Sequence, residues 1–148
     1  RAIAEVIRKA FVARYGEGET AERFRSFDTI CPATQERQDA LRALVEGPLD
    51  LMLVIGGYNS SNTGHLLEIA AGKAPAWHIE GAECLVSREV LRHKPVHAKA
   101  EVVTRVPGAW LPSGPITVGL TAGASTPDVV IGEVVDRVLA LRREAAGR

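Results

Sequence analysis

Twice in this chain a short apolar stretch runs into a turn of small polar residues and then into an amphipathic helix: "DLMLVIGGYNSSNTGHLLEIA" over 50–70 and "ITVGLTAGASTPDVVIGEVV" over 116–135. A third copy of the pattern opens at Phe27 with "FDTICPATQERQDAL". Short apolar runs bounded by turn residues are what strands buried on both faces require, so Asp50–Ile55 and Ile116–Leu120 are predicted to be such strands. The helices that follow place Ala40, Leu41, Leu44 and Val45, then Leu66, Leu67, Ile69 and Ala70, then Val130, Val134, Val138 and Leu141 on their inner sides. Strands alternating with helices imply an α/β fold: a small parallel sheet with flanking helices.

Upstream of this pattern, Ile3, Val6, Ile7, Ala10 and Phe11 fall at helical spacing, and Gly16-Glu-Gly18 is suited to ending the helix. Residues 1–26 are therefore read as the closing helix and linker of a preceding domain, and 27–148 as the α/β domain. A chain that opens at Arg1 already inside a helical pattern reads as part of a longer protein. Residues 83–115, broken by prolines, glycines and the run "REVLRHKPVHAKAE", are read as an irregular excursion with one short helix or hairpin. His93 and His97 are placed there in a solvated loop, and His65 on a helix surface.

Composition removes several classes of function. Eighteen basic and eighteen acidic side chains balance to zero, which leaves no positive field to collect nucleic acid or anionic lipid. No apolar run reaches the roughly 20 residues that span a bilayer, so no membrane partner is expected and the location is read as cytoplasmic. The two cysteines, Cys31 and Cys84, form neither a CxxC pair nor a disulfide framework, which suits a reducing compartment. Cys84 in "AECLVS" is read as a buried structural thiol.

In an open parallel sheet the strand-to-helix turns gather at the carboxyl edge of the strands, where ligands bind. The three turns here are "CPATQ", "GGYNSSNTG" and "TAGASTPD". Helix N-termini present unpaired N–H groups and a positive dipole end, so these turns with their hydroxyls and amides form a neutral cradle for a phosphate or diphosphate. A single Ser or Thr before a helix is most often an ordinary cap. Asn59 to Thr63 offers five polar side chains where one would cap, beside Gly56 and Gly57, which admit a ligand to the backbone. Cys31 is open to three readings at this point. With Arg37 six positions on, it has the spacing of a phosphatase nucleophile and its phosphoryl-gripping arginine; it could instead be a metal or cluster ligand, or a core thiol.

"DTICPATQERQDAL", "LVIGGYNSSNTGHLLEIA" and "VGLTAGASTPD" together resemble the C-terminal part of the LytB/IspH family, the 4-hydroxy-3-methylbut-2-enyl diphosphate reductases, in the plant and cyanobacterial version. The resemblance implies the third of that family's three related α/β domains. It also implies a role in iron–sulfur-dependent reductive dehydroxylation of hydroxymethylbutenyl diphosphate to isopentenyl and dimethylallyl diphosphate, a step of the methylerythritol phosphate pathway of isoprenoid biosynthesis. It makes Cys31 one of three cysteines holding a 4Fe-4S cluster, the others lying upstream of this chain. It makes Thr34 a substrate neighbour and Ser60, Ser61, Asn62 and Ser125 diphosphate contacts. The catalytic proton donor is expected upstream, so no catalytic residue is assigned within 1–148 and the isolated chain is expected to be inactive. Ferredoxin or flavodoxin is the electron donor the family implies, and the plastid stroma the location if the source is a plant or alga. Two other functions remain: a Cys31-dependent phosphatase and a non-catalytic phosphate-binding domain.

Overall fold

The computed structural model describes residues 2–26 and 32–146. They divide into two compact units whose border falls at Cys31–Pro32. The first unit is α1 (Ala2–Arg23). Gly16 breaks it with φ 79° and ψ 167°, a left-handed φ that glycine tolerates. The predicted linker does not follow, because the helix resumes and runs to Arg23. Two contacts carry it past the break: the Thr20 hydroxyl donates to the Gly16 carbonyl at 2.6 Å, and the Phe11 and Phe24 rings meet at 5.5 Å. Val6 and Ile7, assigned to an apolar face, are exposed.

The second unit contains α2 (Pro32–Leu44), β1 (Leu51–Ile55), α3 (Ser61–Ala71), β2 (Ala76–Ile79), β3 (Val90–His93), β4 (Val102–Arg105), β5 (Val118–Ala122) and α4 (Asp128–Ala146). The sheet is parallel in the order β2-β1-β5, with Leu53 opposite both Trp77 and Leu120. All five β1 residues are buried, as a central strand covered on both faces demands. Its side chains alternate between two cores. Met52 and Val54 join Leu41 and Val45 of the α2 region and Leu66, Leu67 and Ala70 of α3. Leu51, Leu53 and Ile55 join Val134, Val138 and Leu141 of α4. The fold is thus the α/β arrangement read from the sequence, a small parallel sheet between helices.

Several details depart from that reading. On α2 the buried stripe is Gln38, Leu41 and Val45, while Ala40 and Leu44 face solvent. β5 pairs from Val118 to Ala122, two residues later than predicted. Thr117 is held ahead of the ladder, its N–H donating to Asp50 Oδ2 at 2.7 Å and its carbonyl accepting from the Asp50 N–H at 3.0 Å. β2 had no counterpart in the sequence reading, being only four residues long.

The excursion over 83–115 is part of the core. It begins in a 3₁₀ turn at Ala82–Cys84 and contains the antiparallel pair β3–β4, with Leu91 opposite Thr104. Leu85, Leu91, Trp110 and Leu111 are buried in the same cluster as α4. Arg137 of α4 ties the segment down, Nε donating to the Leu85 carbonyl at 2.9 Å and Nη2 to that of Val86 at 2.8 Å. His93 therefore does not lie in a solvated loop. It is 6% exposed, hydrogen-bonded to Thr104 Oγ1 at 2.9 Å and set edge-on against Trp77. His65 and His97 are solvent-facing, and Cys84 is buried as a core thiol would be. No described helix is long and apolar enough to cross a membrane.

Burial lowers the pKa of His78 and of His93 below the ordinary imidazole value of 6.5. Both stay neutral in the folded chain at pH values where the unfolded chain takes up protons, so stability is full above about pH 6.5 and declines as the pH falls below it. Thermal unfolding followed from pH 7.5 to 5 should show a falling midpoint. Replacing His93 by Gln should flatten that decline, and an unchanged slope would show that His93 does not contribute to it.

Candidate functional site

β1 and β5 are parallel neighbours, so the turns after them emerge side by side. The Ile55 carbonyl, at the end of β1, accepts from the Gly123 N–H at 2.9 Å and from Thr126 Oγ1 at 3.2 Å. This ties the "TAGASTPD" turn to the "GGYNSSNTG" turn. Thr63, 1% exposed in the first turn of α3, fills the space between them. A Cβ added to Gly56 would lie 2.9 Å from Thr63 Oγ1, and one added to Gly123 only 2.5 Å from the same oxygen. Gly56 also has φ 148°, so glycine is required there for conformation as well as for space. From α2, Arg37 Nη1 reaches the Ala122 carbonyl at 3.4 Å. That contact brings the helix after Cys31 to the same edge of the sheet. It also turns the Arg37 guanidinium toward a backbone carbonyl.

The residues singled out from the sequence occupy this edge in different ways. Ser60 is the N-cap of α3, its Oγ accepting from the Thr63 N–H at 3.2 Å, so one hydroxyl is committed to an ordinary cap. Ser61 is exposed at the first helical position. Asn62 is different: both its amide nitrogen and its amide oxygen are shielded from solvent with no hydrogen-bond partner among the described residues. Two orphaned polar atoms at the N-terminal turn of a helix call for a partner from outside the described residues. Thr34 is half-buried in the first turn of α2, and Ser125 is exposed in the turn before α4. Cys31 lies outside the described residues.

Ser60 and Ser61 also line a cavity of about 510 Å³ beside the first turn of α3, together with Tyr58, Asn59, His65 and Lys94. Thr34, Asn62 and Ser125 do not line it. Those of the expected residues that are described thus lie along one sheet edge but not in one cavity. Among the described residues no group of three His, Cys, Asp or Glu side chains could hold a metal ion. Cys84 does not change this: the residue is 1% exposed, with its sulfur set among Tyr58, Glu83 and Glu101. The described residues alone do not make an iron–sulfur site.

Beside the second turn is a polar network absent from the sequence reading. The Tyr58 N–H donates to Glu80 Oε1 at 2.9 Å, and its carbonyl accepts from Lys94 Nζ. His78 Nε2 donates to the Gly56 carbonyl at 2.8 Å. The Tyr58 phenol donates to Glu101 Oε2 at 2.8 Å, which leaves its oxygen as acceptor for the Cys84 thiol at 3.6 Å. Burial, with Cys84 and Glu101 beside it, pushes that phenol far above its usual pKa, so it stays protonated and keeps donating. No sequence signal marks Glu80, Lys94 or Glu101, because their partners lie 22, 36 and 43 residues away.

The unit is a parallel α/β domain whose helix N-termini and small polar turns meet at one sheet edge, an arrangement that suits an anion. The LytB protein family model matches residues 1–139, and the chain belongs to that family. It is 52% identical over 141 residues to a 4-hydroxy-3-methylbut-2-enyl diphosphate reductase of Gloeobacter violaceus, covering 95% of this chain and 33% of that protein. With the reductase of Thermosynechococcus vestitus it shares 49% identity over 97% of the chain and 35% of the relative. A solved structure of (E)-4-hydroxy-3-methyl-but-2-enyl diphosphate reductase, described as the terminal enzyme of the non-mevalonate pathway, superposes with a TM-score of 0.52 at 32% identity, over 86% of this chain and 39% of that one. The chain spans about a third of the length of the curated relatives it matches.

Thr63 as the spacer between the turns has a measurable consequence. Gly123→Ala should lower stability by about 1–3 kcal/mol through overpacking against a stiff, buried side chain. Thr63→Ala removes the obstructing oxygen, so the double variant should lose less than the sum of the two singles. Urea unfolding of all three variants reads the coupling, and strict additivity would show that the two turns do not meet at Thr63.

Proposed function

We propose that this chain is the C-terminal portion of a LytB-family reductase and that its turns hold the diphosphate end of hydroxymethylbutenyl diphosphate. The observation that carries the reading is the Asn62 amide, shielded at the start of α3 and without a partner among the described residues. Its NH₂ would donate to a diphosphate oxygen, and the free first-turn N–H groups of α3 would face the same anion. Ser61 and Ser125, both exposed, would add hydroxyl donors from two helices, while Ser60 keeps the first turn of α3 in shape as its cap. Thr34, on the first turn of α2, would stand at the side of the carbon skeleton.

Neutral donors suit this task. They match a multiply charged anion through charge-assisted hydrogen bonds without adding fixed positive charge beside a group that must accept electrons. The chemistry of the reaction, two electrons and two protons removing a hydroxyl, belongs in this reading to a 4Fe-4S cluster. Cys31 would be one of its ligands and the rest of the protein would supply the others, with ferredoxin or flavodoxin as donor. The role of this chain is to bind and orient the diphosphate. A cytoplasmic location, or a plastid stroma in a plant or alga, goes with the same reading.

In the full-length enzyme, Asn62→Ala should weaken substrate binding by about 1.5–3 kcal/mol, the worth of a hydrogen bond to a charged group, with iron content unchanged. Ser125→Ala should act in the same direction with a smaller effect. Steady-state kinetics and iron analysis on the purified variants check both. Loss of iron from Asn62→Ala would move that residue to cluster support, and a lowered melting temperature with unchanged affinity would make Ser125 a capping residue only.

A further inference from the structure

The turn that carries Asn59 to Asn62 is held by one segment, residues 78–101, and two of its backbone carbonyls are among the groups held. Gly56 and Tyr58 each point a carbonyl oxygen at a donor of that segment, His78 Nε2 and Lys94 Nζ. Lys94 is itself fixed, since its own N–H donates to the His78 carbonyl of β2 at 2.9 Å. The Tyr58 phenol is moored to Glu101, which also meets Arg92 Nη1 at 3.5 Å. Carbonyl oxygens carry partial negative charge, and a turn can accept an anion on one side only if they are turned to the other.

A second constraint comes from Glu80. Its carboxylate holds the Tyr58 N–H, which places a full negative charge under a turn meant for an anion. Lys94 binds the carbonyl of the same residue, so the carboxylate and the ammonium sit at the two ends of Tyr58's backbone. Lys94 also borders the 510 Å³ cavity shared with Ser60 and Ser61.

We infer that Lys94 is a positioning residue for diphosphate recognition, holding the Tyr58 carbonyl away from the anion and cancelling the charge of Glu80 beneath the turn. This rests on the diphosphate reading of Asn62 and assigns Lys94 no contact with the substrate. In the full-length enzyme, Lys94→Met should raise the KM for the diphosphate substrate about tenfold, more at low ionic strength than at high, with kcat and iron content unchanged. Lys94→Arg should restore most of the loss. Glu80→Gln keeps the oxygen that accepts from Tyr58 and removes the charge. It should lower the KM about twofold alone and recover part of the loss in the Lys94→Met background.

A purely structural Lys94 would give the opposite pattern: KM and kcat worsening together with the melting temperature, no dependence on salt, and no rescue by Glu80→Gln. Any of these overturns the inference. Should Lys94→Met fail to fold, Glu80→Gln alone decides, an unchanged KM counting against the electrostatic role. Asn62→Ala, measured beside them, separates the two levels. If it raises KM while the Lys94 and Glu80 variants do not, this inference falls and the diphosphate reading stands; if Asn62→Ala is also silent, the diphosphate reading itself falls.

Discussion

The carbonyl of Ile55 is the point on which the site depends. It ends the central strand, and by accepting from both the Gly123 N–H and the Thr126 hydroxyl it binds the turn after β5 to the turn after β1. Without those two bonds the helices α3 and α4 would still cover the sheet, since their buried stripes do that work. Their N-termini would have no fixed relation to each other. With them, Thr63 can occupy the gap between Gly56 and Gly123, and the separation of the two turns becomes a matter of hard contact. Preorganisation of this kind costs nothing further when an anion arrives.

A second layer supports the first. The excursion between β2 and β5 resembles an insertion in the sequence, but it supplies both the closing wall of one core and polar anchors for the turn after β1. Leu85, Leu91, Trp110 and Leu111 bury it. His78, Glu80, Lys94 and Glu101, on or beside it, then address Gly56 and Tyr58. The packing of one strand pair and the aim of a binding turn are thus coupled.

The strands β1 and β5, the flanking helices and the turns after those two strands were legible because their signals are local: β1 is an unbroken apolar run, and α3 and α4 repeat at helical spacing. The network under Tyr58 was not, because each of its bonds joins residues that are far apart in sequence and chemically unremarkable alone. His93 shows the limit well. It sits in a run of basic residues that looks solvated, and only the pairing of β3 with β4 and the approach of Trp77 bury it. The resumption of α1 beyond Gly16 was hidden for the same reason, since it depends on a Thr20 hydroxyl meeting a carbonyl four residues earlier. The candidate diphosphate residues were named from their motifs, yet their differing conditions could not be: Ser60 spent as a cap, Asn62 shielded without a partner among the described residues, Ser125 open.

Amide hydrogen exchange of the full-length enzyme, followed by mass spectrometry with and without the diphosphate substrate, tests the central claim most directly. Binding at the converging turns should slow exchange in peptides covering 56–64 and 122–128, and leave the β3–β4 hairpin at 90–105 unchanged. Protection confined to regions outside this chain, with both turns exchanging as before, would contradict the account.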